Sequence, residues 1–434
     1  MGIWNERYET MSRDELQQVQ LERLQASVNR AYENVAFYKR LFDQLEISPE
    51  GIRTLGDLAR LPFTTRENLR EGYPYDMFAV PLRDVVRIHS SAGTTGAPTV
   101  CGYTANDLHN WSELAARVLT AAGVGKDDVV QVSFGYGLFT AGFGFQYGAE
   151  RIGASVIPVS AENPERQIAV MRDFKITALI GTPTYALSIA EQIEEANVNP
   201  RALSLRVGLF GGEPWSERVR DEIEGRLGIA ASDYYGLSEL AGPGVSWECE
   251  CKCGLHVAED HFIAEVVDPG TGQPVEPGQA GELVLTTLTK EALPLIRYRT
   301  RDLTSLEFSP CECGRTLARM SRVHSRTDDM LIVQGISVFP SQIEALLAEI
   351  EGTKPHYRMV IDRRGAADDL EIQVEVSDSI FADTVGKLEQ IEEKIASRIR
   401  SALGISPRVR LVEPRTLDRM TGRARRVVID KREL

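Results

Sequence analysis

The segment Ser90–Thr99 concentrates hydroxyl groups and glycines, a composition typical of a loop that holds phosphate. It follows an apolar strand predicted over Val85–His89, so its backbone N–H and side-chain O–H groups can surround phosphate oxygens. Its spacing does not fit the common nucleotide loop, in which a glycine is followed after four residues by Gly-Lys-Ser/Thr, and this disfavours ordinary phosphate-loop NTPases. Taken alone, the segment is as typical of a mobile surface turn.

Three further segments favour a nucleotide site. Gly211–Trp215 follows a predicted strand, at the carboxyl end where α/β sheets bind ligands. Asp233–Glu239 places aromatic faces beside a carboxylate, a set able to stack on a base and hold a divalent cation. In Tyr298–Asp302 a carboxylate stands among arginines, where it can accept a pair of ribose hydroxyls.

Five of the six cysteines stand in two tight groups, which favours metal binding over disulfides in a cytosolic chain. Four protein ligands around one tetrahedral zinc leave no position for water, so we expect a structural site. The alternative is that these cysteines are redox-active thiols. Elemental analysis of the purified protein would distinguish them from a zinc site. The predicted zinc ligands are Cys249, His256, Cys311 and Cys313, with Cys251 or Cys253 as substitutes.

An aromatic slot is predicted between residues 132 and 148. Tyr136, Phe139 and Phe143 are interleaved with glycines, and Gly142 and Gly211 add walls without side chains. Such a slot has the thickness of an aromatic ring, so an aryl or arylacetic acid is the expected guest. The alternative is that these aromatic side chains belong to the ordinary core.

The elements that must position these residues predict an α/β fold. The first 80 residues are expected to be helical, with an amphipathic helix at Ser12–Ala31 and a capping signal at Thr64 and Thr65 followed by Glu67. From residue 85, apolar strands alternate with helices, which indicates layered α/β subdomains with parallel strands. Strands and turns dominate about 240–326, a β-rich subdomain, and a separate small α+β domain follows at 329–434.

Composition narrows the class of protein. The length of 434 residues predicts two to four folding units, and a hydrophobic content of 43% is enough for a sizeable core. These values exclude a peptide, a coiled coil and a disordered chain. With 63 acidic and 49 basic side chains the net charge is -14, which argues against nucleic acid as a partner. The uncharged stretch at 129–149 contains five glycines, so we expect a buried strand and helix there and no membrane partner. The N-terminus has no basic and apolar export pattern, so a cytoplasmic location is expected.

Together these segments resemble the adenylate-forming superfamily of acyl- and aryl-CoA synthetases, and within it the phenylacetate-CoA ligase family. The resemblance covers nearly the whole chain, and the combination of motifs is highly specific although each motif alone is weak. Besides the four loops, it rests on Tyr136–Thr140, Tyr147–Arg151, Glu259–Phe262, Thr289–Pro294 and Asp328–Leu331.

The resemblance implies a two-step reaction. A carboxylate attacks the α-phosphorus of Mg²⁺–ATP to give an acyl-adenylate and pyrophosphate, and the thiol of coenzyme A then displaces AMP. By analogy, Ser91, Gly93, Thr94, Thr95 and Gly96 hold the phosphates; Gly212, Glu213, Pro214, Asp233, Tyr234 and Tyr235, with Gly236 and Ser238, surround adenine; Glu239 binds Mg²⁺; and Asp302 with Arg326 holds the ribose.

Relatives swing a small, mobile C-terminal domain between the two half-reactions. Asp328 matches their hinge position, which predicts a large domain at 1–326 and a hinge near 327–329. The alternative is an exposed Asp pair that caps the next strand.

The chain departs from the family pattern at four positions. Arg423 and Arg66 stand where relatives commonly have lysine. Ala92 and Ala97, in the phosphate loop, stand where relatives often have serine or lysine. The chain has 40 Arg and 9 Lys, so a general drift toward arginine explains positions 66 and 423 with the charge retained. Arg423, Arg66 and Glu239 are therefore the predicted catalytic residues. The basic C-terminal stretch around Arg423 is expected to receive the phosphates of coenzyme A, with a solvated tail as the alternative.

The leading functional hypothesis is an ATP-dependent ligase that joins an aryl or arylacetic acid, phenylacetate-like, to coenzyme A. One alternative is a relative that adenylates a different acceptor, as the deazaflavin-adenylating enzymes do. Another is a non-catalytic nucleotide- or acyl-CoA-binding relative. The expected cofactors are ATP, Mg²⁺, coenzyme A and structural Zn²⁺, and a homodimer is the expected assembly.

Overall fold

The computed structural model describes residues 2–91, 98–138, 140–160, 163–323, 325–328, 331–333, 336–350, 353–362, 369–377, 385–414, 416–417 and 427–430. The chain divides into two compact units. Unit 1 comprises Met1–Gly212 and Ile223–Val323, and unit 2 comprises Glu213–Glu222 and His324–Leu434. Each unit has its own hydrophobic cluster of buried side chains.

Most helices up to residue 227 are short. The helices next to the parallel strands alternate with these strands along the chain. In chain order, the helices are α1 (Glu6–Glu9), α2 (Arg13–Asn34), α3 (Ala36–Gln44), α4 (Arg66–Glu71), α5 (Ala105–Ala121), α6 (Ala141–Ile152), α7 (Pro164–Asp173), α8 (Pro183–Glu195) and α9 (Glu217–Leu227). Short 3₁₀ helices lie at Pro49–Gly51, Leu55–Arg60, Leu82–Asp84 and Pro200–Ala202.

The main sheet of unit 1 has nine strands among the described residues. They are β3 (Val129–Val132), β4 (Ser155–Ile157), β5 (Ala178–Gly181), β6 (Val207–Gly211), β7 (Ala230–Tyr235), β8 (Ser246–Glu248), β9 (Leu255–Val257), β13 (Leu306–Glu307) and β14 (Arg319–Met320). Their order across the sheet is β13-β14-β9-β8-β7-β6-β5-β3-β4. The strands β3 to β7 pair in parallel, whereas β8, β9, β14 and β13 continue the sheet antiparallel.

Two smaller strand groups complete unit 1. The strands β1 (Arg87–Ser90) and β2 (Val100–Tyr103) form an antiparallel pair, and β10 (Phe262–Val267), β11 (Gly281–Thr287) and β12 (Tyr298–Thr304) pair antiparallel in that order. All seven residues of β11 are buried, because side chains cover both of its faces.

Helix starts follow the capping signals of the sequence. Ser12 caps α2 with a reciprocal contact to Glu15, so the amphipathic helix predicted at Ser12–Ala31 is confirmed and extends to Asn34. Thr65 caps α4, but Asn68, not the expected Glu67, returns the hydrogen bond. That prediction was wrong because Asn68 is the third helical residue, the position from which a side chain reaches back to the cap.

The described elements of unit 2 after residue 323 are β15 (Ser325–Arg326), β16 (Leu331–Val333), β17 (Ile336–Val338), α10 (Pro340–Ala348), β18 (Thr353–Asp362), β19 (Asp369–Val376), α11 (Val385–Leu403), β20 (Arg408–Val412) and β21 (Val427–Asp430). Four of these strands form a sheet in the order β20-β19-β18-β21, in which β18 and β19 are antiparallel and the outer strands run parallel to their neighbours. Across the described part of the chain, none of the helices has both the length and the apolar character that a bilayer requires.

Candidate active site

The base of the predicted phosphate loop is held between β1 and β2. The backbone N–H of Ser91 donates to the carbonyl of Thr99 at 3.0 Å, and the two side-chain hydroxyls are in hydrogen-bond contact. Ser91 and Thr99 therefore bracket the loop as a closed pair. Gly93, Thr94, Thr95 and Gly96 lie outside the described residues.

Glu239 is joined to this pair. Its carboxylate, in a side chain only 6% exposed, accepts a hydrogen bond of 2.9 Å from the Thr99 hydroxyl. Tyr103, at the end of β2, donates to the carbonyl of Ser238 at 3.1 Å, and the Ser238 hydroxyl contacts that of Thr140 at 3.0 Å. The structure thus brings Ser91, Ser238 and Glu239 together through Thr99 and Tyr103. The sequence motifs did not single out the last two, although Thr99 closes the hydroxyl-rich segment.

Arg66 reaches the same pair from α4. Its Nη2 lies 3.4 Å from the Ser91 hydroxyl, and its Nε is buried without a hydrogen-bond partner among the described residues. Thr64, two residues before Arg66, anchors the chain at the start of the helix, because its hydroxyl donates to the carbonyl of Ile296 at 2.6 Å. A guanidinium group next to the base of the loop is placed to bind an anion.

The carboxyl ends of β6 and β7 lie side by side, because these strands are parallel neighbours and Gly211 is in register with Tyr234. A side chain at Gly211 would lie 2.4 Å from the Tyr234 carbonyl, so only glycine allows this approach. Gly212 has a φ of +80°, which turns the chain away from the strand end. At Gly236 a Cβ would lie 1.6 Å from the carbonyl oxygen of Gly242, so two backbone segments cross there in contact.

Two carboxylates of the predicted nucleotide loops have protein partners. Asp302 is fully buried and accepts a hydrogen bond of 2.6 Å from the Tyr235 hydroxyl, so these two predicted residues are in direct contact. Asp233 lies 3.3 Å from the Nε of Arg322, which also contacts Glu248 at 3.2 Å. Arg322 carries no motif, so this partner could not be found from the sequence.

Two of the aromatic side chains of the predicted slot are in contact and pack against the core. The rings of Tyr136 and Phe143 meet edge to face at 5.2 Å between centroids, and Arg87 lies over the Phe143 ring at 4.7 Å. The Tyr136 hydroxyl is buried and has no hydrogen-bond partner among the described residues, and burial raises its pKa. A Cβ at Gly142 would lie 3.0 Å from the Gly135 carbonyl oxygen. Phe139 lies outside the described residues.

The remaining predicted nucleotide residues belong to unit 2. Arg326 forms a bidentate ion pair with Asp328, with distances of 2.7 and 2.9 Å, so the predicted ribose ligand is bonded to the predicted hinge residue. Glu213 and Pro214 are also assigned to this unit. Arg423 lies outside the described residues.

The predicted zinc ligands converge. The ligand atoms of Cys249, His256, Cys311 and Cys313 all lie within 4.8 Å of one another. Cys249 and Cys311 have their sulfurs 3.7 Å apart, and Cys313 Sγ is 3.5 Å from His256 Nε2. Burial lowers the pKa of His256 to about 4, so its imidazole is neutral, the form that binds metal.

A buried lysine lies over the ring of Tyr103. Lys290 is 8% exposed, its Nζ has no hydrogen-bond partner among the described residues, and it sits 3.1 Å from the centroid of the Tyr103 ring. Burial lowers its pKa to about 8. Beyond the position of Lys290 in the motif Thr289–Pro294, no signal along the chain points to this contact.

The chain matches known families over most of its length. Residues 20–288 match the family model described as AMP-binding enzyme, and residues 335–432 match the AMP-binding enzyme C-terminal domain. Together with the fold, these matches define the class as AMP-binding, adenylate-forming enzymes.

Curated relatives define the family more narrowly. The phenylacetate-coenzyme A ligase of Escherichia coli (strain K12) is 48% identical over 96% of each chain, and that of Thermus thermophilus is 45% identical over 98% of each. The chain belongs to the phenylacetate-coenzyme A ligase family, whose members are AMP-forming acid–thiol ligases. The predicted family is therefore confirmed.

Solved structures agree with this assignment. A 2-hydroxyisobutyryl-CoA ligase in the postadenylation state, in complex with 2-HIB-AMP, is 31% identical with a TM-score of 0.91, covering 98% of this chain and 92% of that one. The same ligase with 2-HIB-AMP and CoA in the thioesterification state is 32% identical with a TM-score of 0.73, covering 98% and 91%. The predicted α/β fold class is confirmed by these matches.

Proposed function

We propose that this protein is an ATP-dependent ligase that converts an aryl or arylacetic acid, phenylacetate-like, to its acyl-adenylate and transfers the acyl group to coenzyme A. The observation that carries the proposal is the hydrogen-bonded chain from Ser91 through Thr99 to Glu239, which joins the phosphate loop to a buried carboxylate. Its occurrence in a chain 45–48% identical to phenylacetate-coenzyme A ligases favours this reaction over others of the superfamily.

The residues near the loop divide the work of adenylation. Glu239, with the hydroxyl of Thr99, offers the hard oxygen ligands that Mg²⁺ prefers, and Mg²⁺ would neutralise phosphate charge. Arg66 and the loop hold the triphosphate. Tyr235 and Asp302 form a hydrogen-bonded pair that receives adenine and ribose. Most of the rate enhancement then comes from positioning and from fixed charges, since the acid needs only to be brought in line with the α-phosphorus.

The acid's ring is proposed to lie against the aromatic pair of Tyr136 and Phe143, whose rings contact each other edge to face. The closely packed backbone at Gly142, where a Cβ would lie 3.0 Å from the Gly135 carbonyl oxygen, supports a flat apolar guest. The buried Tyr136 hydroxyl offers a hydrogen bond to a ring substituent or to the carboxylate.

The small C-terminal domain is proposed to swing about Asp328 between the two half-reactions, bringing Arg423 to the α-phosphate in the first. This proposal is supported by the related 2-hydroxyisobutyryl-CoA ligase, which was crystallised in a postadenylation and a thioesterification state. The arginines near Arg423 would receive the phosphates of coenzyme A. The cytoplasm, where ATP and coenzyme A are plentiful, is the proposed location, and a homodimer is the proposed assembly.

A structural zinc is proposed for Cys249, His256, Cys311 and Cys313. Zinc-to-sulfur bonds of about 2.3 Å in a tetrahedron place two sulfurs about 3.8 Å apart, and the sulfurs of Cys249 and Cys311 are 3.7 Å apart. The donor set of three thiols and one imidazole also fits zinc, and it fills all four positions. The metal would cross-link segments about 60 residues apart in the sequence.

Thioester formation from a panel of acids tests the proposed function. Purified protein is incubated with Mg²⁺–ATP, coenzyme A and phenylacetate, ring-hydroxylated phenylacetate, benzoate or an aliphatic acid, and the acyl-CoA is measured by mass spectrometry. We expect arylacetyl-CoA and an equal amount of AMP. Acid-dependent pyrophosphate release without a CoA product would instead support a different acceptor, and no pyrophosphate release would support a non-catalytic relative.

A further inference from the structure

Residues 135–138, the slot loop, carry one ring of the proposed aromatic slot but are loosely packed. A Cβ placed at Gly135 or at Gly137 would meet nothing within 4 Å, and Leu138 is 66% exposed. Tyr136 lies between the two glycines and packs its ring on Phe143. Apart from this ring, side-chain packing does little to hold the slot loop, so its position depends on hydrogen bonds to its backbone.

The carbonyl of Leu138 faces two donors from β1. The backbone N–H of Ser90 donates to it at 2.9 Å, and Nδ1 of His89 lies 3.1 Å from the same oxygen. The next residue, Ser91, is in hydrogen-bond contact with Thr99 at the base of the phosphate loop. Residues 89–91 therefore contact the slot loop at one end and the base of the phosphate loop at the other.

The imidazole of His89 carries its proton on Nδ1. His89 is 2% exposed, and burial lowers its pKa, so the ring is neutral and has one N–H group. Because Nδ1 lies next to a carbonyl oxygen, which can only accept, the N–H group is at Nδ1 and Nε2 is an acceptor. Nε2 is buried and has no hydrogen-bond partner in the described part of the chain.

Aromatic rings fill the rest of the surroundings of His89. Its imidazole meets the rings of Tyr103 and Trp111 edge to face, with centroids 5.5 and 5.8 Å apart, and the Phe143 ring at 5.6 Å. A phenylalanine at position 89 would suit these neighbours and would not bury an unpartnered nitrogen. What a phenylalanine could not provide is the hydrogen bond from Nδ1 to Leu138.

We propose that His89 is a positioning residue for adenylation, which holds the slot loop against β1 and so fixes the aromatic slot relative to the base of the phosphate loop. The effect on the acid rests on the proposed function, whereas the attachment of the slot loop can be measured without any reaction. His89 acts through Leu138 and Phe143 and does not need to touch the acid itself. Loss of its Nδ1 donor should therefore loosen the slot loop and weaken binding of the acid.

The test compares three substitutions that distinguish the two ring nitrogens. The side-chain amide of His89→Asn can replace Nδ1, that of His89→Gln can replace Nε2, and His89→Phe keeps a ring without either nitrogen. In ATP–pyrophosphate exchange we expect His89→Phe and His89→Gln to raise the KM for the acid about 3- to 10-fold, as for loss of one neutral hydrogen bond, with the KM for ATP unchanged. His89→Asn should restore the KM for the acid. The control is His109→Phe, at an exposed histidine of α5.

Amide hydrogen exchange, followed by mass spectrometry, measures the attachment of the slot loop without turnover. Peptides that cover residues 135–138 should exchange faster in His89→Phe and His89→Gln than in the wild type. In His89→Asn and in the His109→Phe control they should exchange at the wild-type rate. A purely structural role of the imidazole ring would instead predict that asparagine loosens the loop as much as glutamine does.

The outcomes separate this inference from the proposed function. Slot-loop hydrogen exchange that is the same in His89→Phe and in the wild type would overturn the role of His89. So would a KM for the acid that glutamine restores and asparagine does not, because that pattern assigns the function to Nε2. If no acid supports pyrophosphate exchange in the wild type, the proposed function fails, and hydrogen exchange that is faster in His89→Phe and His89→Gln alone still supports the attachment of the slot loop by His89.

Discussion

At the residue scale, the proposed chemistry depends on how a few buried polar groups are paired. Glu239 and Asp302 were singled out as carboxylates within motifs, and the structure gives each a hydroxyl partner, Thr99 and Tyr235. A hydroxyl that donates to a carboxylate orients it while leaving its other lone pairs for a ligand. The pairing thus orients both carboxylates at the proposed nucleotide site.

Glu239→Gln tests the proposed Mg²⁺ ligand. The amide oxygen can still accept from Thr99, so the fold should be retained, but the charge that holds the metal is lost. We expect acid-dependent ATP–pyrophosphate exchange to fall about 10²- to 10³-fold, with a higher Mg²⁺ requirement. The control is Glu194→Gln, at an exposed carboxylate paired with Arg226. Exchange within threefold of this control would show that Glu239 does not bind the metal.

Lys290→Met tests the buried ammonium on Tyr103. Burial lowers the pKa of Lys290 from 10.5 to about 8, so between these values the unfolded chain holds a proton that the folded protein has lost. The wild type must therefore gain stability as the pH rises from 8 to 10. Below pH 8 the free-energy cost of keeping the buried Lys290 charged in the folded protein is fully present. At pH 7 the penalty is on the order of 3 kcal/mol, partly offset by about 1–2 kcal/mol of cation–π attraction.

The measurement is urea unfolding of both proteins at pH 7, 8.5 and 9.5. Lys290→Met should be more stable at pH 7 by about 1–2 kcal/mol, and this difference should shrink as the pH rises. Parallel stability profiles for the two proteins would mean that Lys290 keeps its proton throughout.

At the scale of elements, alternation and turn chemistry predicted most of what the structure contains. The parallel strands β3 to β7 alternate with helices, as predicted, because apolar runs bounded by turn residues can be recognised in the sequence. What the sequence could not predict depends on contacts between distant segments. The β12 bulge is one example, since three residues lie opposite one only when β11 is paired, and Arg322 beside Asp233 is another.

The convergence of the cysteine groups could be predicted because residue type and spacing mark candidate metal ligands, whereas Thr99 and Tyr103 are ordinary residues until the strands pair. The choice among five thiols could not be made from spacing alone. The geometry groups Cys249, Cys311 and Cys313 with His256, while Cys253 also lies 3.5 Å from Cys311.

Cys311→Ser tests the proposed zinc. Protein purified with Zn²⁺ should contain one zinc per chain by elemental analysis, and the variant should lose it together with about 2–5 kcal/mol of stability, the range for a lost cross-link or metal in a small structural unit. Cys251→Ser is the matched control, since Cys251 is outside the converging set, and it should retain the metal. Metal-free wild type whose thiols form reversible disulfides would favour the redox alternative.

At the scale of the whole molecule, the proposed function consists of two half-reactions with different chemistry. Adenylation needs the triphosphate neutralised, and thioester formation needs the same crevice to admit a thiol. The proposed rotation about Asp328 answers this need, because a few residues at the end of an element can absorb it. The motifs predict residues for both steps, but no single motif encodes a movement between the steps.

Arg423→Ala tests the division of labour. We expect adenylate formation to slow about 10²- to 10³-fold, as for loss of one positioned donor, while transfer from preformed acyl-adenylate to coenzyme A changes little. The two half-reactions are measured separately by single-turnover quenching. Equal losses in both would remove Arg423 from the adenylation step.

The central claim is that this chain activates an organic acid by joining it to AMP. Isotope exchange between labelled pyrophosphate and ATP reports that step without any acceptor. We predict exchange that requires Mg²⁺ and an arylacetic acid together and that falls to background when either is omitted. Exchange at background with every acid supplied, in protein that is folded and fully loaded with metal, would contradict the claim.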